Sequence, residues 1–301
     1  MVTASAGDGA WPAAAGRAPS GAASVDQSDA PLLRLRGIGK SFGPVHALVG
    51  IDLDIPEGQV TALVGDNGAG KSTLIKTISG IWEPTTGELI WNGKPVHLHG
   101  PRDATALGIA TVYQDLALCD NLDIVQNMLL GHEVRRWYGL LDEVTMEITA
   151  KQTLADLRVT TVRSIRQPVG SLSGGQRQSV AVAKAVMQDA RLVIMDEPTA
   201  ALGVTQTELV LDLIGRLKNR GHAVIVVSHN LNEVFQVADR LAVLYLGGLA
   251  AAGPASDFDT QSVVELMTTG ASARVGANGN AREPAPPGGR PPGGRGRGTE
   301  G

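Results

Sequence analysis

Apolar residues fall along the chain in two kinds of run. Val60–Val64, Leu192–Met195 and Val224–Val227 are short and continuously apolar, and each precedes a polar loop and a helix-like stretch. Strands buried on both faces of a parallel sheet have this pattern. Leu32–Leu35, Ala47–Ile55 and Glu88–Trp91 alternate apolar with polar residues, which predicts half-exposed antiparallel strands. A further strand is expected over Ala110–Tyr113, and helices over Lys71–Ser79, Leu141–Arg158 and Gln176–Met187. Strands alternating with helices place the chain in the α/β class. No period repeats along it.

Composition changes the picture mainly at the ends. Residues 1–30 are rich in Ala, Gly and Ser; residues 271–301 are rich in Gly, Pro and Arg and hold five Arg against two Glu. Such segments bury too little apolar surface to offset the entropy of ordering, so both are expected to be disordered, leaving one domain over 31–270. The basic tail is open to two readings, a solvated segment or a contact for RNA or anionic lipid. The 301-residue chain as a whole carries a net charge of −4, which gives no overall field for nucleic acid. A single cysteine, Cys119, excludes an internal disulfide framework and fits a reducing compartment. The longest apolar stretch, Leu241–Ala252, is interrupted by Gly247-Gly248 and falls short of the roughly 18 residues of a membrane span. The amino terminus lacks the basic start and apolar segment of a secretory signal, so a cytoplasmic location is expected.

The candidate chemistry begins after the strand at Val60–Val64. Gly65-Asp66-Asn67-Gly68-Ala69-Gly70-Lys71-Ser72-Thr73 has the spacing of a phosphate-binding loop. Glycines let successive N–H groups turn inward around a phosphate, and the positive end of the following helix points at the same anion. Lys71 can reach terminal phosphates, and the Ser72 hydroxyl can ligate Mg²⁺. The strand Leu192–Met195 ends in Asp196 and Glu197, two carboxylates suited to holding Mg²⁺ through water and to polarising an attacking water. Acidic residues also solvate strand ends without further purpose.

Leu172-Ser173-Gly174-Gly175-Gln176 resolves the alternatives. With this stretch the chain resembles the ATP-binding cassette family over about residues 32–270, its motifs standing in the family's order. The resemblance implies a P-loop NTPase core with a mixed sheet, an antiparallel β subdomain and a helical signature subdomain at about 115–190. It implies ATP and Mg²⁺ as cofactors. It also implies a head-to-tail pair of cassettes, in which the phosphate loop of one chain and Ser173, Gly174, Gly175 and Gln176 of the other sandwich each ATP. Phe42 matches the aromatic that stacks on adenine, although as a residue type it also suits a core position. Gln114 matches the glutamine that contacts Mg²⁺ and the attacking water, and His229 the histidine that contacts the γ-phosphate. Glu197 matches the general base and Asp196 the Mg²⁺ ligand. Gly203 departs from the pattern, because most members carry Asp there.

The remaining histidines read as structural. His97 and His99, on one side of an expected strand, lack a third ligand for a metal. The resemblance further implies a separate ATPase subunit on the inner face of the membrane, acting on permease subunits and, through them, on a solute-binding protein. The segment 115–140 is expected to build the groove for a permease helix, with Leu116, Leu118, Met128 and Leu129 as contacts or, equally, as internal packing. Pro101-Arg102-Asp103-Ala104, Leu107–Ala110, Tyr113–Leu118 and Ala200–Val204 are similar to the monosaccharide importers of the ribose, xylose and fructose group, most closely to the single-cassette members. Another cargo, whether an imported amino acid or an exported compound, and a soluble ATP-driven nucleic-acid or ribosome factor are the competing functions.

Overall fold

The computed structural model describes residues 30–159, 161–187 and 189–272. The disorder expected of the two ends therefore concerns residues that lie almost wholly outside the described ones. Ala271 and Ser272 are described, and they are tied to the preceding helix: Ala271 N–H donates to Thr269 Oγ1 at 3.3 Å and Ser272 Oγ to Glu265 Oε2 at 2.8 Å.

The alternating segments form an antiparallel sheet of order β2-β1-β4-β5, from β1 (Leu33–Phe42), β2 (Val45–Ile55), β4 (Thr86–Trp91) and β5 (Lys94–Val96). Leu33, Leu35, Ile51, Ile55 and Leu89 are buried on its inner face, and Arg34 and Asp54 pair on the other at 2.9 Å. The continuously apolar segments form the second sheet, of order β10-β9-β3-β8-β7-β6. Its strands are β3 (Val60–Gly65), β6 (Ile109–Val112), β7 (Leu192–Asp196), β8 (Ala223–Val227), β9 (Arg240–Tyr245) and β10 (Gly248–Pro254). All run parallel except β10, which returns antiparallel to β9. Neither His97 nor His99 lies within a strand, because β5 stops at Val96. Among the described residues no three His, Cys, Asp or Glu side chains are grouped to hold a metal.

Both faces of the parallel sheet are covered, which is why its strands carry no alternation. In β7, Val193 and Met195 pack with α3 (Ile124–Leu129), α4 (Glu143–Asp156), α5 (Gly174–Val186) and α6 (Val204–Asn219). Leu192 and Ile194 face the other way, into the core shared with the antiparallel sheet and with Leu74, Ile75 and Ile78 of α1 (Lys71–Ile78). Burying each such side chain contributes about 1.5–3 kcal/mol. The remaining helices are α2 (Pro101–Ala106), α7 (Leu231–Val237) and α8 (Thr260–Thr269), the last packing with Val234 over Ala62, Val64, Leu241 and Val243. No described helix is long and apolar enough to cross a membrane.

Two sequence expectations acquire physical detail. The interrupted apolar stretch Leu241–Ala252 is the β9–β10 hairpin, its two-residue turn made by Leu246 and Gly247 at φ 45° and 82°. Both positive angles match the twist-compatible turn that hairpins favour. Met128 and Leu129 are fully buried in the helical core, so they pack internally; Leu116 and Leu118 are only partly buried. Asn127, buried beside them, orders the preceding loop. Its side chain accepts from Cys119 N–H at 2.7 Å and donates to the Cys119, Leu122 and Asp123 carbonyls.

Gly87 sets how closely β4 approaches β1. Its φ is 83°, and a Cβ there would lie 2.4 Å from the carbonyl oxygens of Arg36 and Gly37. Both atoms are backbone and cannot move aside. Gly87→Ala is therefore expected to cost about 2–4 kcal/mol, combining left-handed strain with overpacking. Urea denaturation should show a lower midpoint with an unchanged slope.

Candidate functional site

The phosphate loop leaves the carboxyl end of β3, the central strand, and runs directly into α1. Asp66, Asn67 and Gly68 are exposed, whereas Gly65 and Ala69 are buried. Gly70 caps α1 at φ 102°, and a Cβ there would stand 2.8 Å from the Ala47 carbonyl oxygen, so only glycine fits. The N–H groups of the first turn of α1, at Lys71, Ser72 and Thr73, have no intrahelical partners and open onto the loop. Lys71 Nζ donates to the Gly65 carbonyl at 2.8 Å and to the Asp66 carbonyl at 3.0 Å. Burial pulls the Lys71 ammonium below its usual pKa, against the opposing pull of Glu197, Asp66 and Asp196.

Parallel register brings the acidic and imidazole groups to the same edge. Asp196 pairs with Val227 and Val227 with Leu63, so the ends of β7, β8 and β3 are level. Burial raises the Asp196 carboxyl above its ordinary range, the neighbouring Glu197 raises it further, and Lys71 and Lys76 oppose the shift. Glu197 follows at φ 49°, a left-handed conformation held by its N–H donating to the Val227 carbonyl at 2.9 Å. His229, two residues past β8, places Nδ1 3.0 Å from Glu197 Oε1 and 2.9 Å from Oε2. With Nδ1 protonated, the imidazole donates to the carboxylate. Lys71, Asp196, Glu197 and His229 thus gather at one edge of the sheet, an ammonium and an imidazole beside two neighbouring carboxylates.

The other predicted residues lie around this cluster. Gln114 is exposed just beyond β6, and its amide makes no hydrogen bond among the described residues. Phe42 ends β1 partly exposed, with its ring edge-to-face against Trp82, centroids 4.7 Å apart, and Lys40 Nζ 5.3 Å from its centroid. Ser173 to Gln176 form a separate surface, with no hydrogen bond or ion pair to the phosphate loop among the described residues. Ser173 caps α5: its Oγ accepts from Gln176 N–H at 3.4 Å, and Gln176 Oε1 accepts from Ser173 N–H at 3.0 Å. Gln176 Nε2 donates to the Thr161 carbonyl at 2.6 Å. Gly174 and Gly175 let α5 approach the start of α6 closely, since a Cβ on Gly174 would meet Leu202 Cδ2 at 2.6 Å.

Sequence reasoning missed two supports of this site. Gly247, in the β9–β10 turn, donates its N–H to the Ala69 carbonyl at 3.1 Å and accepts from Val49 N–H at 2.8 Å, joining the phosphate loop to β2. The interruption of the apolar stretch was its only signal. Trp82, closing the turn after α1, backs Phe42 and receives Lys76 over its own ring at 4.8 Å; nothing in its local sequence marks it.

Gly203 occupies the N-cap of α6 in an extended conformation, with no atom within 4 Å of where its Cβ would be. An aspartate fits there and would accept from the free N–H groups of the first turn. Gly203→Asp is expected to stabilise the chain by about 0.3–1 kcal/mol, through capping and the helix dipole, read as a rise in Tm. Asp196 gives a second test. Because its carboxyl is raised in the folded chain, folding takes up a proton, and the stability this gives is lost as pH rises through the raised pKa. Asp196→Asn is expected to raise Tm at neutral pH and to flatten that acid-side slope.

Residues 48–200 match the family described as ABC transporter. The chain is 44% identical over 244 residues to the fructose import ATP-binding protein FrcA of Rhizobium meliloti, covering 79% of this chain and 94% of that protein. It is likewise 44% identical over 244 residues to the xylose/arabinose import ATP-binding protein XylG of Sulfolobus acidocaldarius, covering 81% and 96%. Among solved structures, a dimeric ATP-binding cassette in a post-hydrolysis state with ADP and Pi superposes at a TM-score of 0.62 with 26% identity, over 74% of this chain and 98% of that one. The phosphate loop, the paired carboxylates and the Leu-Ser-Gly-Gly-Gln helix cap thus sit on a shared fold, and the chain belongs to the ABC transporter family as an ATP-binding cassette.

Proposed function

We propose that this chain is the ATP-hydrolysing subunit of a membrane importer whose cargo is a monosaccharide. The observation that carries the hydrolytic part is the contact between His229 and Glu197 at the sheet edge that also presents Lys71. Glu197 meets the imidazole with both oxygens and keeps further lone pairs on them for an attacking water, as a general base requires. Lys71 and the first turn of α1 supply positive charge for the β- and γ-phosphates. The exposed Ser72 hydroxyl and the desolvated Asp196 carboxylate offer hard oxygens to a divalent cation. So sparse a protein donor set suits Mg²⁺, which keeps waters and phosphate oxygens around it and, when bound, neutralises charge on the transferring phosphoryl group. The partly exposed ring of Phe42, held edge-to-face against Trp82, is the stacking surface for the base.

The signature residues Ser173 to Gln176 serve the phosphate loop of a second cassette, because within one chain they form their own surface. A groove of about 220 Å³ beside β6, lined by Ser79, Pro101, Thr105, Tyr113, Leu116 and Ala117, receives the permease. It begins next to Gln114, so occupation of the groove is felt at the hydrolytic edge. Fructose and xylose/arabinose import by the two relatives support a sugar cargo.

Glu197→Gln is expected to lower phosphate release at least about 100-fold while an ATP-dependent dimer accumulates on size exclusion; hydrolysis at the parent rate would overturn the assignment. Purification of the complex from detergent-solubilised membranes is expected to recover a multispanning permease with a solute-binding protein. A screen of that binding protein should find a monosaccharide, and finding an amino acid instead would reassign the cargo.

A further inference from the structure

We propose that Glu233 is a positioning residue of the hydrolytic site: its carboxylate clamps the loop carrying Glu197 to the loop carrying His229 and so keeps these two side chains within hydrogen-bond reach. The inference rests on the reading of Glu197 and His229 as the hydrolytic pair.

Glu233 lies in the first turn of α7, three residues after the N-cap Asn230. One of its oxygens accepts from Thr199 Oγ1, and the other accepts from Asn230 Nδ2 at 2.7 Å. Thr199 stands two residues after Glu197, and Asn230 directly follows His229. With the contact of 3.0 Å between His229 Nδ1 and Glu197 Oε1, the connections close into a ring: Glu197, Pro198, Thr199, Glu233, Asn230, His229 and back to Glu197. A bond from Glu197 N–H to the Val227 carbonyl at 2.9 Å fixes the first loop to the sheet, and one from Asn230 N–H to Ser228 Oγ at 3.0 Å folds the second loop on itself directly after β8.

The chemistry explains the residue type. Two donors on two different loops converge on one side chain, and a carboxylate offers an acceptor to each. Glutamine keeps an acceptor for Asn230 and can donate to Thr199 Oγ1, so it preserves the bridge without the charge. Aspartate keeps the charge but is one methylene too short to span both loops. The backbone of Glu197 gives the clamp its importance. A non-glycine residue at positive φ persists only where its surroundings over-determine it. Released at Thr199, the Glu197 loop has a more relaxed conformation available, in which the carboxylate no longer meets the imidazole. An acidic residue in a helix's first turn also favours the helix dipole, but that role requires neither Thr199 nor Asn230.

The test is steady-state phosphate release by the full chain across ATP concentrations, with melting curves alongside, for the parent and for Glu233→Ala, Glu233→Asp, Glu233→Gln, Thr199→Val and Glu197→Gln. Glu233→Ala and Glu233→Asp are expected to lower kcat about 10- to 100-fold, the scale of a misplaced catalytic group, with KM for ATP within about twofold. Glu233→Gln is expected to stay within about threefold of the parent. Thr199→Val keeps its shape and removes one donor, and is expected to lower kcat in the same direction; it decides the matter if Glu233→Ala does not fold. Parent-like kcat in Thr199→Val and in the folded Glu233 variants overturns the inference. So does an equal loss in Glu233→Gln and Glu233→Ala, or a loss carried by KM. Glu197→Gln separates the two levels: if it turns over at the parent rate, the hydrolytic assignment itself has failed and the inference falls with it, whereas an inactive Glu197→Gln beside fully active Glu233 variants overturns only the clamp.

Discussion

The site exists because β3, β8 and β7 are parallel and level at one end. In a parallel sheet all carboxyl ends lie on one edge, and there the loops after three strands can meet. Leu63, Val227 and Asp196 share one line of register, so Gly65, Ser228 and Glu197 leave the sheet within a residue or two of one another. A shift of one residue in any of these strands would turn its side chains to the opposite face. Val193 and Met195 belong to the helical core, and Leu192 and Ile194 to the core shared with the antiparallel sheet; a slip would misfit both. Packing chosen for two different partners thus fixes the distances between the groups at the edge.

That edge is electrostatically unfavourable in isolation. Lys71 is held below its ordinary pKa and Asp196 above its own, in each case chiefly because burial disfavours the charged form. Neither group satisfies the other fully, since Lys71 spends its donors on the Gly65 and Asp66 carbonyls. Such frustration is characteristic of sites that await charged ligands. A phosphate anion beside Lys71 or a cation beside Asp196 would favour the charged form in each case, so such a ligand would relieve a cost already present in the folded chain.

Much of this was legible in the sequence, for reasons that differ by element. β3, β7 and β8 stood out because strands covered on both faces are continuously apolar, and β1, β2 and β4 because one face is wet. The phosphate loop and the Leu-Ser-Gly-Gly-Gln turn were legible because backbone conformation there demands particular residues at fixed spacing. What escaped was contact between residues far apart along the chain. Glu233 meets Thr199 across 34 residues, and Gly247 supports Ala69 from the opposite end of the domain. No periodicity encodes such pairs. Met128 and Leu129 were ambiguous for a related reason: an apolar helix face looks the same whether its partner is another part of the chain or another protein. Only the packing of α3 into the helical core decides between them.

The same long-range geometry bears on the departure at Gly203. The N-terminal ends of α5 and α6 are neighbours, since Gly174 and Gly175 pack against Leu202 and Gln206. Each helix start carries partial positive charge on its free N–H groups. An aspartate at 203 would cap α6 and add a full negative charge at the start of that helix. With glycine there, no side chain caps α6 and no carboxylate at that position opposes the field of the paired helix starts. The exposed Ser173 surface is therefore more attractive to an anion than in a chain with the acidic residue. In the proposed pair of cassettes, the phosphate oxygens of the nucleotide held by the other chain would be such an anion. Glycine at 203 thus gives up a helix cap, and in the proposed pair of cassettes it would remove a repelling charge from the contact between the two chains.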